Sequence, residues 1–141
     1  MNPYLERKIL DADPIELVCL LYQRAIACIQ EARKHLANRR IAERAKAITQ
    51  AYDVLTELMA ALRPEAAPEI SANLNALYAY LQQRLIEANF QQADGPLAES
   101  ASILGTLLDG WNGVAHGTGE MRSDELPPPQ RAGRTAFSAG I

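Results

Sequence analysis

From Ile41 to Leu62 the apolar residues advance by four and three in turn: Ile41, Ala45, Ile48, Tyr52, Leu55, Met59 and Leu62. A half-buried strand cannot use this spacing, because it needs an apolar residue at every second position. A helix can, and the alternation is that of a seam facing other helices. A second row, Ala47, Ala51, Val54, Leu58 and Ala61, runs beside the first. This segment therefore commits the chain to helix-on-helix packing.

Three more segments follow the same logic, and no β-type alternation appears anywhere. In DADPIE, Asp13 is a good N-cap, Pro14 suits the first helical position, and Glu16 stands where a capping acid belongs. The helix it opens carries Ile15, Val18, Tyr22, Ile26, Ile29 and Leu36, widened by Leu17, Leu20, Leu21 and Cys28, before a turn at Asn38–Arg40. Arg63-Pro64 and then Pro68 end the second helix and turn the chain. A third helix from Pro68 carries Leu74, Leu77, Tyr78, Leu81, Leu85 and Ala88, and QQADGP follows it as a loop. Pro96 opens the fourth, with Leu97, Ala101, Leu104, Leu108, Trp111 and Ala115. The expected fold is all-α: an antiparallel up-down four-helix bundle over residues 13–116, with a short N-terminal cap segment over 1–12. Residues 117–141 are rich in Gly, Pro, Ser and charge. They cannot bury enough apolar surface to offset the entropy of ordering, so they read as a disordered tail.

Composition removes several function classes. With a net charge of −3, a pI near 5.4 and both signs interspersed, the chain lacks the basic stripe of a nucleic-acid binder. No apolar run approaches the length of a membrane span, which argues against insertion. MNPYLERKILDADP places charges and a proline where a signal peptide would have its apolar segment. The cytosol is the expected compartment. Cys19 and Cys28, nine residues apart on one helix, point to roughly opposite faces and cannot bridge.

Catalytic patterns are missing too. His35 follows Glu31 by four residues, which is salt-bridge spacing, and His116 stands at the start of the tail. There is no Glu-x-x-His pair of a di-iron bundle, no phosphate loop, no nucleophile elbow and no zinc spacing. Neither an enzyme nor a cofactor is expected. What remains is a surplus of apolar surface, as in IELVCLLY, and such a surplus forms grooves between helices that suit a partner or a second copy.

Two stretches carry a resemblance. DADPIELVCLLYQRAI resembles the opening of the flagellar export chaperones of the FliS family, and NLNALYAYLQQRLIEAN resembles that family's third-helix signature. Asn2-Pro3-Tyr4 and Trp111 are similar in place, and the likeness runs from Asn2 to Ala115. It implies a cytosolic four-helix chaperone that binds the disordered C-terminal region of flagellin along apolar grooves, prevents premature polymerisation and aids export without ATP. It also implies that the N-terminal segment with its Tyr covers part of that surface when the site is empty. Other flagellar export or regulatory proteins, and a homodimer, are further partners to consider. The alternative is a homodimeric structural or regulatory bundle without a flagellin client.

The partner surface is expected from Tyr4, Ile9 and Leu10 of the N-terminal segment, and from Leu17 and Leu21 of the first helix. Val54 and Leu58 of the second helix and Tyr78, Tyr80 and Arg84 of the third complete it. Tyr78 and Tyr80 lie about 160° apart on a helix, so only one of them can be interior. Arg84 shares the face of Tyr80 and either holds a peptide acceptor or stacks on that ring. Asn73 and Asn89 read as a polar first turn and a C-terminal stop.

Removing residues 117–141 should leave the thermal midpoint and partner binding unchanged. A midpoint lowered by more than about 4 °C, the scale of roughly 1 kcal/mol in a domain of this size, would show that the tail packs on the bundle.

Overall fold

The computed structural model describes residues 14–115. Tyr4, Ile9, Leu10, the Asp13 cap, His116 and the tail lie outside the described residues. Four helices account for the described part: α1 (Pro14–Ala37), α2 (Ile41–Ala60), α3 (Pro68–Gln91) and α4 (Gly95–Ala115). Their links, 38–40, 61–67 and 92–94, are short enough to make each helix run antiparallel to the one before. α1 packs on α2 and α4, and α3 packs on the same two, so the helices form a closed ring in chain order. This is the expected all-α up-down bundle, with no strand among the described residues. One end of the bundle holds the 38–40 and 92–94 links. The other holds the 61–67 link together with Pro14 and Ala115.

Local chemistry sets the helix ends. Arg39 and Gln92 take left-handed backbone conformations, with φ of 58° and 53°, just past the ends of α1 and α3. The Asn38 side chain donates to the Lys34 carbonyl at 3.0 Å and satisfies one of the orphan acceptors of α1. Asn89, expected as a stop, is followed by two more helical residues, and Gln92 makes the turn instead, its N–H on the Ala88 carbonyl. The side chain of Asn89 is held by Arg44 of α2.

The heptad seam of α2 does not lie at the middle of the core. Leu55 and Ile48 are buried, but Ile41 is 60% exposed, and Tyr52, Met59 and Leu62 are only partly covered. The companion row is deeper: Ala47, Ala51, Val54 and Leu58 are all buried. The core axis thus falls between the two rows, because α2 must face both α1 and α3, and the outer edge of the seam is left toward solvent.

Leu55 and Leu104 are fully buried. Truncating either to Ala should cost roughly 2–5 kcal/mol in urea unfolding, from lost transfer energy plus the cavity left behind. Ile41→Ala should change stability by less than about 0.5 kcal/mol, since that side chain is mostly in water.

Candidate functional site

Burial of apolar residues is incomplete in two places. The first lies between α2 and α3, where Ile48, Thr49, Tyr52, Ile86, Asn89 and Phe90 wall an open indentation of about 370 Å³. Phe90 is 86% exposed and Ile86 54%, an unusual state for two large apolar side chains one turn apart. Along the same seam, buried Gln82 donates from Nε2 to the Tyr52 carbonyl at 3.1 Å and to Thr56 Oγ1 at 2.9 Å.

The second is a cavity of about 140 Å³ at the 61–67 end. Val18 of α1, Leu58 and Leu62 of α2, Leu74 and Tyr78 of α3 and Trp111 of α4 all contribute to its wall. Beneath it lies the most buried polar contact of the bundle. Tyr22 and Tyr78 reach across the ring from diagonal helices and join their hydroxyls at 2.6 Å, with ring planes 68° apart. Burial, only partly offset by the Tyr78 and Trp111 side chains, pushes the Tyr22 phenol up to about 12, and burial likewise raises Tyr78. Trp111 Nε1 is buried beside the Tyr22 hydroxyl, and among the described residues no atom takes its N–H at full hydrogen-bond geometry. A buried donor so weakly engaged leaves room for a better acceptor.

Ion pairs close other seams. Arg33 donates from Nε and Nη2 to the two carboxylate oxygens of Asp94 at 2.7 and 3.0 Å, tying α1 to the start of α4. The Asp94 carboxyl is held below its ordinary range by these hydrogen bonds. Arg84 donates to Glu99 at 2.7 Å and to Glu87 at 2.6 Å, while the Tyr80 hydroxyl donates to the other Glu99 oxygen at 2.7 Å. That cluster ties α3 to α4.

The residues expected at a partner surface therefore separate into groups. Val54, Leu58 and Tyr78 are interior, though Leu58 and Tyr78 reach the end cavity. Leu21 is nearly buried and Leu17 half-buried. Tyr78 is a core residue and Tyr80 the surface one, 37% exposed, which resolves the alternation between them. Arg84 does not wait for a peptide and does not depend on stacking, because the two glutamates engage its guanidinium. Neither Cys19 nor Cys28 forms a disulfide, and no cluster of metal-ligating side chains occurs among the described residues. Sequence reasoning missed Phe90, Ile86 and Arg44. The Ile86–Phe90 step of four on a face away from Leu77, Leu81 and Leu85 was the available signal. For Arg44, the signal was its place one step ahead of Ala47 in the buried row.

Comparison with known proteins adds an independent line. Residues 1–118 match the family described as flagellar protein FliS. The flagellar secretion chaperone FliSB of Pseudomonas aeruginosa is 32% identical over 112 residues, 79% of this chain and 89% of that protein. The flagellar secretion chaperones FliS of Salmonella typhimurium and Bacillus subtilis are 26% and 28% identical, covering 79% and 78% of this chain and 83% and 84% of their own.

The tyrosine pair makes a titration prediction. A phenol whose folded pKa lies above its unfolded value near 10 keeps its contribution below that value and loses it as pH rises toward the folded one. Stability should fall between about pH 10 and 12, by roughly 2–3 kcal/mol for Tyr22. Unfolding curves of Tyr22→Phe should show a smaller fall over this window than the wild type, and a loss of about 1 kcal/mol at neutral pH.

Proposed function

The chain belongs to the FliS family of flagellar proteins, and from that premise we propose that it is a cytosolic flagellar secretion chaperone. It binds the disordered C-terminal region of flagellin, which keeps subunits from polymerising early and delivers them for export. No helix among the described residues is long and apolar enough to cross a membrane. The observation that carries this reading is the apolar end cavity with the weakly engaged indole N–H of Trp111 in its wall. A space of about 140 Å³ is close to the roughly 150 Å³ that accepts one benzene-sized group. A peptide can fill it with one apolar side chain and offer a backbone carbonyl to Trp111.

The N-terminal segment joins the bundle at the same end, through Pro14. In this reading residues 2–10 shield the cavity until the client arrives. The ring of Tyr4 has the size the cavity accepts, and its hydroxyl has lone pairs that can take the Trp111 N–H.

Calorimetry of the full chain against a synthetic peptide of the flagellin C-terminal segment tests the function. Binding should show a markedly negative heat-capacity change, and silence at about 100 μM peptide would remove the chaperone reading. Under shielding, Tyr4→Ala leaves affinity unchanged or tightens it, since a competing group is gone. A loss of more than about 1 kcal/mol would instead make Tyr4 a client contact.

A further inference from the structure

Apart from proline, glycine is the weakest helix former, since it loses the most backbone freedom on folding and brings no side chain to pack. α1, α2 and α3 contain none. α4 has Gly105, Gly110 and Gly113 in its second half. A close approach between backbones would explain a glycine, yet a Cβ built at Gly105 meets nothing within 4 Å. Packing does not call for glycine at that position. What the three glycines do share is a helix that opens more readily toward its C-terminal end.

α4 is also held unevenly along its length. Asp94, just before its start, takes Arg33 of α1, and Glu99, in its first turns, takes Arg84 of α3. Leu97, Leu104 and Leu107 are fully buried. Leu107 is the last buried residue of the helix, and from Leu108 to Ala115 each residue is half-buried or exposed. Trp111 stands in this stretch between Gly110 and Gly113, and it is the one wall residue of the end cavity that α4 supplies. Its buried N–H is only weakly engaged beside the Tyr22 hydroxyl. Val18, Leu58, Leu74 and Tyr78, on the other three helices, form walls that do not depend on α4.

We propose that residues 110–115 form a flap, hinged at Gly110, which carries Trp111 on and off the end cavity and gates the entry and release of a client side chain. This rests on the chaperone reading and adds a moving part to it. Opening at Gly110 leaves Leu104 and Leu107 in the core, so the bundle keeps its packing while the cavity loses one wall. The segment that opens is short and weakly helical: besides its two glycines it holds Asn112 and Val114, both poor helix formers. Closure over an inserted side chain returns the indole to apolar contact, and its N–H can then take an acceptor better placed than the Tyr22 hydroxyl.

The chain has a single tryptophan, so its fluorescence reports the flap directly. The test is stopped-flow mixing of the full chain with a synthetic flagellin C-terminal peptide that lacks Trp, comparing wild type, Gly110→Ala and Gly105→Ala. Gly105→Ala lies before the flap and in open space, so it should raise the thermal midpoint and leave both rate constants unchanged. Gly110→Ala should slow association and release together by about threefold, the ratio one glycine-to-alanine change carries in a helix, and shift affinity much less. That pattern belongs to a gate, whereas a lost contact acts mainly on release. In the free chain, hydrogen exchange of the 111–115 amides should slow in Gly110→Ala and stay as in the wild type in Gly105→Ala. Slower exchange with unchanged binding rates means that the end of α4 only frays, and overturns the gate. Faster release with weaker affinity makes position 110 a client contact, which overturns it as well. Should Gly110→Ala lower the midpoint, Gly113→Ala takes its place with the same expectations. If the wild type binds and the flap variant matches its rates, the gate falls and the chaperone reading stands. If the wild type does not bind, both fall.

Discussion

The bond between the Tyr22 and Tyr78 hydroxyls fixes how the helices stand relative to one another. Apolar packing alone tolerates a slip by one helical turn, since Leu74, Leu77, Leu81 and Leu85 offer similar surfaces along α3. Two desolvated hydroxyls do not tolerate it, because each left without its partner costs about 1–3 kcal/mol. The contact joins diagonal helices, so it sets α1 against α3 across the ring, and α2 and α4 settle on either side of that pair.

With that register set, charge decides which seams are locked. Arg33 reaches Asp94, and Arg84 reaches Glu99, so α4 is clamped to both of its neighbours on the outside as well as by core packing. Exposed pairs of this kind contribute little to stability, but they favour one geometry over others nearby. Among the described residues, the polar side-chain ties between α2 and α3 are those of Gln82 and Arg44. The helix whose seam is the most regular in the sequence thus has the outer edge of that seam, at Ile41, Tyr52 and Met59, only partly covered by the core.

This explains how far the sequence could be read. The helices, their links and the buried leucines follow from periodicity and from Asp, Pro and Gly punctuation, and the structure has them where those signals stand. Which of Tyr78 and Tyr80 is interior was left open because the answer depends on Tyr22, fifty-six positions away in the chain. The same limit applies to Arg84, whose glutamate Glu99 sits on the following helix. The α2 rows could be seen but not ranked, since their depth depends on where α1 and α3 approach. Phe90 stands out only once its exposure is known, because a single aromatic near a helix end has no periodic signal of its own. Pairings between distant residues and exposures are properties of the assembled bundle, and local periodicity carries neither.

On the proposed chaperone reading, the geometry suits a client that must be held and then given up. One deep pocket would concentrate affinity in a few buried contacts, and release would require breaking them together. Here the end cavity has room for one side chain and the α2/α3 indentation is open, and the two lie at opposite stretches of the same bundle. A flexible client spanning both gains from the linkage, because the second contact forms at high effective concentration once the first is made. The same client can be removed in steps, one modest contact at a time, without energy from a nucleotide. A four-helix ring tied by ion pairs on its α4 side and without an ion pair across its α2/α3 seam among the described residues suits both properties.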